Sequence, residues 1–210
     1  MAKAPEGPRV SADDALTRLM EGNQRFLRGE ARNSAFRRET LTDLALDQAP
    51  YATILGCSDS RVPPEWIFDV GLGELFVIRV AGNALSPEIA GTLQYAGSYL
   101  KTPLFVILGH EGCGAITAAL ATKHEGAQFR SRVQLLLESI VPGLPTHDPT
   151  LSPGEQVSRA VESNVRWTVR QILDSPEGRA RMAGGRTKVV GAVYELETGR
   201  VRILPVTPTP

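Results

Sequence analysis

Two short segments of the chain carry side chains that could bind a metal ion together. Cys57 is followed by Asp59 and Arg61, and His110 is followed three residues later by Cys113. Two thiolates and one imidazole form a ligand set that suits zinc, and a carboxylate can add a fourth ligand. Asp59 is close enough in sequence to Cys57 to reach the same ion. Arg61 can instead hold the Asp59 carboxylate through a bidentate contact.

Ordinary structural roles compete with this interpretation. A lone cysteine after a buried strand is usually a small core residue, and a lone histidine is often a hydrogen-bonded loop residue. Here, however, both cysteines of the chain and one of its three histidines directly follow a glycine at the same predicted edge of the sheet. A redox pair of cysteines would not require His110. The other two histidines, His124 and His147, lie in polar surroundings and are expected to be solvated.

The segments that position these side chains alternate between strand and helix patterns. Apolar runs of strand length are followed by helical patterns, which favours a mainly parallel sheet covered on both faces. Cys57 and His110 each follow such a run directly, after Gly56 and Gly109. Carboxyl ends of parallel strands share one edge of the sheet, where ligands bind. The predicted strands are Tyr51–Leu55, Leu75–Val80, Leu104–Leu108, Lys188–Leu196 and a short antiparallel edge strand, Val201–Leu204.

The overall prediction is an α/β fold with a central sheet of four mainly parallel strands, an antiparallel edge strand and helices on both faces. A helix at about Ser11–Leu27 precedes the alternation and is expected to pack on a partner subunit. Residues 1–10 are expected to be a flexible tail, and 11–206 a single catalytic domain. The other predicted helices begin at Pro63-Pro64, at Ser86 with Pro87, and at about Gly112, Arg130 and Glu155.

Composition excludes several classes of partner. Lysine and arginine total 23, as do aspartate and glutamate, so the net charge is zero. A balanced charge does not suggest a nucleic acid or a membrane as partner. The chain shows no apolar run of membrane-spanning length and no secretory pattern at its start. A cytoplasmic location is therefore predicted, and in a reducing compartment the two cysteines are not expected to form a disulfide.

The paired segments Cys57–Arg61 and His110–Gly114 resemble the two signature segments of the β-carbonic anhydrases. Further similarity in 73–83, 162–167 and 188–194 extends the resemblance over most of the chain. It implies the zinc-dependent reversible hydration of carbon dioxide to bicarbonate and a proton, by a homodimer or a dimer of dimers. It also implies that Cys57, His110 and Cys113 are the zinc ligands, with Asp59 and Arg61 forming a catalytic pair beside the metal.

The resemblance also implies residues that bind substrate. Gln48, nine residues before Cys57, occupies the place of a glutamine that binds a substrate oxygen in the plant-like subgroup. Phe76 and Ala81 match positions of the apolar pocket near zinc. Gly114 resembles the residue whose backbone N–H faces the substrate.

One position separates the plant-like subgroup from the other. The other subgroup has a tryptophan three residues before the first cysteine, as part of an inhibitory bicarbonate pocket. This chain has Ile54 there, so that Arg79, which matches another residue of that pocket, lacks the tryptophan beside it. The chain is therefore expected to belong to the plant-like subgroup and to lack this regulation.

Three other functions remain open from the sequence. A related zinc enzyme could hydrolyse carbon disulfide or carbonyl sulfide at the same site. A structural zinc protein could use Asp59 as a permanent fourth ligand. A redox dithiol protein would use Cys57 and Cys113 without a metal. Comparing the turnover of carbon dioxide, carbon disulfide and carbonyl sulfide identifies the substrate. Zinc content and activity after chelation distinguish the zinc-dependent functions from the redox function.

Overall fold

Five strands form one sheet in the order β2-β1-β3-β4-β5. The computed structural model describes residues 10–32 and 44–205. Strands β1 to β4 run parallel, and β5 pairs antiparallel with β4, which confirms the predicted sheet. The strands are β1 (Ala52–Gly56), β2 (Leu75–Arg79), β3 (Leu104–His110), β4 (Lys188–Tyr194) and β5 (Val201–Ile203).

Helices cover both faces of this sheet. Every position of β1 and β3 is buried, as continuous apolar runs require when both faces of a sheet are packed. Helix α3 continues as a π-helical turn to Leu100. The helices are α1 (Ala12–Leu27), α2 (Pro64–Ile67), α3 (Pro87–Tyr95), α4 (Gly114–Glu125), α5 (Arg132–Ile140), α6 (Pro153–Asp174) and α7 (Pro176–Ala183).

The long helix α6 packs closely against β3 and β4. It begins with a capping box, in which Ser152 and Glu155 satisfy each other's backbone N–H groups. Val165 then approaches the sheet at two glycines. A Cβ atom on Gly109 would lie 2.6 Å from Val165 Cγ2, and one on Gly191 would lie 2.8 Å from Val165 Cγ1. Glycine at these positions therefore lets the helix lie directly on the two strands.

Helix α1 packs on its own chain through a buried asparagine. Asn23 Nδ2 donates to the carbonyl oxygens of Ile67 at 3.1 Å and Gly199 at 2.9 Å. Its Oδ1 accepts from the N–H of Val201 at 2.9 Å. One face of α1 thus joins the end of α2 to the start of β5. That the remaining face of this helix packs on a partner subunit stays a prediction.

The structure differs from the predicted elements at several boundaries and in one helix. Strand β4 ends at Tyr194 rather than at the predicted Leu196. Strand β3 extends through His110, because Gly109 and His110 still pair with β4. Helix α7 was not predicted, since it buries none of its residues and has no apolar periodicity; Ser175 as its cap and Pro176 at its first position were the available signals. The expected tail lies outside the described residues, apart from Val10. None of the helices within 10–32 and 44–205 is long and apolar enough to cross a bilayer.

Candidate metal centre

Three elements of the sheet edge bring the candidate ligands together. Cys57 follows β1 directly, His110 is the last residue of β3, and Cys113 immediately precedes α4. Because β1 and β3 are paired neighbours in the sheet, their carboxyl ends lie side by side. The ligand atoms of the three residues all lie within 4.8 Å of one another, and all three residues are buried.

The hydrogen bonds of His110 leave one ring nitrogen ready for a metal. Its Nδ1 lies 2.8 Å from the carbonyl oxygen of Glu111. A carbonyl can only accept, so Nδ1 carries the proton and Nε2 carries the lone pair. Nε2 is buried and has no hydrogen-bond partner within the part of the chain that the structure describes. Because an unpaired buried polar atom is costly, a cation at this position would satisfy it. The donor set fits zinc.

The two cysteines form a closely coupled pair of thiols. Their Sγ atoms are 3.9 Å apart, far beyond the length of a disulfide bond, about 2 Å. The hydrogen bond from Cys113 lowers the pKa of Cys57, and burial opposes that effect. The same hydrogen bond, together with burial, raises the pKa of Cys113. The two thiols therefore titrate as a pair, and the first proton is lost more readily than the second. A divalent cation between the two sulfur atoms would favour the thiolate form of both.

Asp59 lies at the edge of this cluster, held by Arg61. Arg61 Nε donates to Oδ1 at 2.9 Å and Nη2 donates to Oδ2 at 2.7 Å. These hydrogen bonds hold the pKa of Asp59 far below its usual range. Asp59 Oδ2 lies 3.9 Å from His110 Nε2, so the carboxylate is beside the cluster but outside the three-ligand group. A role for Asp59 as a fourth ligand stays a prediction.

Arg79 fixes the backbone of the segment that carries Cys57 and Asp59. Its Nε donates to the carbonyl oxygen of Cys57 at 3.0 Å, and its Nη2 donates to that of Asp59. The strand register explains this, because Arg79 pairs with Gly56 at the end of β2. The resemblance associates Arg79 only with an inhibitory pocket, so this contact is not predicted from the sequence. The position of Arg79 at a strand end, next to the cysteine segment, was the signal.

A tight turn after β2 also contacts the cluster. The turn, Ala81–Asn83, contains Gly82, whose N–H donates to Cys57 Sγ at 3.4 Å. Gly82 has a φ of +66°, and a Cβ atom there would lie 2.7 Å from Ile140 Cδ1. Only glycine combines this conformation with so little space. Ala81 therefore lies next to the cluster.

Two other predicted residues, Gly114 and Phe76, lie at opposite ends of the sheet. Gly114 is exposed at the start of α4, and a Cβ atom there would meet nothing within 4 Å. This leaves open space beside Cys113. Phe76 instead pairs with Thr53 near the start of β1, and its ring lies 6.1 Å from that of Tyr95.

Gln48 also lies away from the cluster of its own chain. It is exposed and precedes β1, whereas Cys57 follows that strand. A strand of five residues spans about 16 Å. The structure therefore places Gln48 and Phe76 towards the amino ends of the strands, and the cysteines at the carboxyl ends.

Comparison with known proteins gives a consistent assignment. A family model described as carbonic anhydrase matches residues 52–201. The chain is 36% identical over 197 residues to carbonic anhydrase 2 of Mycobacterium tuberculosis, covering 92% of this chain and 93% of that protein. It is 35% identical over 189 residues to a carbonic anhydrase of Mycolicibacterium smegmatis, covering 88% and 89% of the two chains.

Solved structures agree with the sequence relatives. The β-carbonic anhydrase CafA of Aspergillus fumigatus superposes with a TM-score of 0.72 at 26% identity, covering 81% of this chain and 83% of that chain. A Coccomyxa β-carbonic anhydrase in complex with acetazolamide gives a TM-score of 0.69 at 30% identity, covering 90% and 86%. With the Cys-His-Cys cluster at the same sheet edge as the carboxylate–guanidinium pair, these matches show that the chain belongs to the β-carbonic anhydrase family.

Proposed function

We propose that this carbonic anhydrase hydrates carbon dioxide reversibly to bicarbonate and a proton, with zinc held by Cys57, His110 and Cys113. The observation that carries the proposal is the buried lone pair of His110 Nε2, which has no protein partner among the described residues and lies beside two thiols. A structural zinc site would need four permanent ligands, and Arg61 already occupies both oxygens of Asp59. The comparisons name carbonic anhydrases, which does not favour a carbon disulfide hydrolase or a redox dithiol protein.

Zinc, when bound, supplies Lewis acidity that makes water a nucleophile near neutral pH. Asp59 orients that water. Because its carboxylate stays ionised, Asp59 can only accept a hydrogen bond. A water that donates its hydrogen to Asp59 Oδ2 turns its lone pair towards the substrate. Arg61 holds the carboxylate in place and keeps it from becoming a metal ligand.

The surroundings of the cluster suit a small, weakly polar substrate. Ala81 offers an apolar wall on one side, and the open space above Gly114 leaves room on the other. Cys113 caps α4, so the partial positive charge at the start of this helix faces the site. We assign the N–H of Gly114 to a substrate oxygen, which gains negative charge as carbon dioxide becomes bicarbonate.

We further propose that Gln48 and Phe76 act on the cluster of a second copy of the chain. Neither residue lies at its own cluster, since both are near the amino ends of β1 and β2. Phe76 belongs to an aromatic patch with Tyr95, which is 44% exposed, and Tyr99, which is 57% exposed. Exposed aromatic residues that stack on one another are typical of an interface. A homodimer, or a dimer of dimers, would cover this patch.

The remaining assignments follow from the site. Ile54 and the proposed role of Gln48 favour the plant-like subgroup. A cytoplasmic location is proposed because both thiols must remain reduced to bind zinc. Residues 11–206 are proposed as a single catalytic domain, since the cluster uses residues from β1, β3 and the start of α4 in one sheet.

Zinc content and the rate of carbon dioxide hydration test the proposal. We expect about one zinc per chain and stopped-flow hydration that is lost when a chelator removes the metal. Carbon disulfide and carbonyl sulfide, offered to the same preparation, should turn over much more slowly. Full hydration activity in metal-free protein would contradict the assignment.

A further inference from the structure

Helix α6 reaches the turn beside the metal cluster through one buried amide. Asn164, only 1% exposed, donates from Nδ2 to the carbonyl oxygen of Gly82 at 2.9 Å. Four residues later, Thr168 Oγ1 lies 3.5 Å from the carbonyl oxygen of Asn83. The first contact has good geometry and the second is at the limit of a hydrogen bond. The amide of Asn164 is thus the main polar contact between this helix and the turn.

The turn that Asn164 holds is also the one that contacts the cysteine sulfur. The N–H of Gly82 donates to Cys57 Sγ at 3.4 Å, while the carbonyl of the same residue accepts from Asn164. Packing limits the turn on another side, where Ile140 and Ala115 leave no room for a Cβ atom on Gly82. Asn164 and Cys57 are therefore linked through one residue that has no side chain.

We propose that Asn164 is a positioning residue for the metal ligand Cys57, acting through the N–H of Gly82. The proposal deepens the zinc site and rests on the proposed function. Groups that hydrogen-bond to metal ligands orient them and tune the metal, and their loss typically costs about 10- to 100-fold in metal affinity or activity. By fixing Gly82, Asn164 keeps one N–H donor aimed at the Cys57 sulfur.

Losing the amide has two consequences that a general loss of stability does not share. The turn can move away from Cys57, so the sulfur is no longer held in the direction that suits the metal. The sulfur also loses an N–H donor, which raises the energy of its lone-pair electrons. In a cobalt-substituted protein, the thiolate-to-cobalt charge-transfer band should then move to longer wavelength.

The test compares Asn164→Ala with Val169→Ala. Val169 lies on the same helix and is 8% exposed, but it packs near Gly191 of β4 rather than on the turn. Both variants lose buried side-chain atoms, so the second controls for damage to α6. Zinc release from each loaded protein is followed with a chromophoric chelator, and the absorption spectrum is recorded with Co²⁺. Thermal unfolding is measured alongside.

We expect Asn164→Ala to release zinc at least about tenfold faster than wild type, with a displaced charge-transfer band. Val169→Ala should match wild type in both measurements, although it is less stable. If Asn164→Ala does not fold, Asn164→Ser is measured in the same way. Release and spectra equal to those of Val169→Ala would overturn the inference. Failure of the wild-type protein to bind zinc or cobalt through thiolates would instead overturn the proposed function.

Discussion

Arg61 holds both carboxylate oxygens of Asp59, with Nε 2.9 Å from Oδ1 and Nη2 2.7 Å from Oδ2. The same carboxylate lies 3.9 Å from the lone-pair nitrogen of His110. Asp59 thus lies beside the candidate metal site, while Arg61 holds both of its oxygens. We expect the guanidinium to keep the carboxylate out of the metal site.

Arg61→Ala should therefore keep zinc and lose most activity. Without its partner, the Asp59 carboxylate can bind the metal and displace the reacting water. We expect hydration to fall by about 100-fold or more, on the scale of losing one preorganised electrostatic contact. The measurements are zinc content and stopped-flow rate. Arg159→Ala, which breaks the pair with Asp148, is the matched control and should behave as wild type. Wild-type turnover in Arg61→Ala would show that the pair is not catalytic.

Removal of any one ligand should abolish metal binding and activity together. Cys57→Ala, His110→Ala and Cys113→Ala each take one of three protein ligands from a buried cluster. Zinc per chain is measured after dialysis, with hydration assayed on the same samples. His124→Ala is the control, because His124 contacts the carbonyl oxygen of Pro145 instead of the cluster. Full zinc occupancy in Cys57→Ala would contradict the site.

Two glycine substitutions should have opposite effects on stability. Gly82→Ala forces a Cβ atom to within 2.7 Å of Ile140 Cδ1 at a φ of +66°, and should destabilise the fold by about 1–3 kcal/mol. Gly91→Ala, in α3, meets nothing within 4 Å and should stabilise it by about 0.5–1 kcal/mol. Denaturant unfolding measures both changes. Equal stability of the two variants would argue against strain in the turn.

The hydration rate should be low at mildly acidic pH and rise through neutrality. Three imidazole ligands bring the pKa of zinc water to about 7; two thiolates donate more charge, so the water should ionise at higher pH. The pKa of Asp59 is lowered, so this carboxylate stays ionised across the range and does not cause the acid limb. Asp59→Asn should lower the maximum rate. A pH–rate profile on zinc-loaded enzyme tests this, and a maximum below neutral pH would contradict it.

The same lowered pKa predicts how acid affects the fold. A carboxyl group whose pKa is lower in the folded chain stabilises it above the ordinary aspartate value of about 3.9. This contribution is lost as the pH falls through the lowered pKa. Below about pH 5, where an ordinary aspartate begins to be protonated, the free energy of unfolding of the wild-type protein should fall. In Asp59→Asn it should fall less over the same range. Urea unfolding at several pH values measures the difference, and parallel pH curves for both proteins would contradict it.

Gln48→Ala should weaken hydration, and a mixing experiment shows which cluster it serves. In a heterodimer of Gln48→Ala and Arg61→Ala chains, the first chain has an intact cluster and the second has an intact Gln48. If Gln48 acts across the interface, one site is complete and activity exceeds that of either parent. If it acts on its own cluster, no site is complete. The two parent homo-oligomers, carried through the same mixing procedure, are the controls.

The sequence determined the sheet and the three residues of the candidate metal cluster. Strand runs such as Leu104–Leu108 are apolar throughout because both faces of the sheet are covered. The local sequence alone therefore indicates a buried strand. Cys57 and His110 follow two such runs, so parallel topology alone brings them to one edge. Asp59 and Arg61 are adjacent to Cys57 in sequence, which keeps their pairing local.

Tertiary structure decided what lies around the ligands. Asn164 is 107 residues from Cys57 in the chain, and only the packing of α6 on the sheet brings its amide to the turn after β2. Gln48 and Phe76 show the converse. Both are within 19 residues of Cys57, yet both lie towards the amino ends of the strands. Strand β1 separates Gln48 from Cys57, and the crossover through α2 returns the chain to the start of β2 before Phe76. Nearness in sequence does not imply contact, because a strand or a crossover carries the chain from one edge of the sheet to the other.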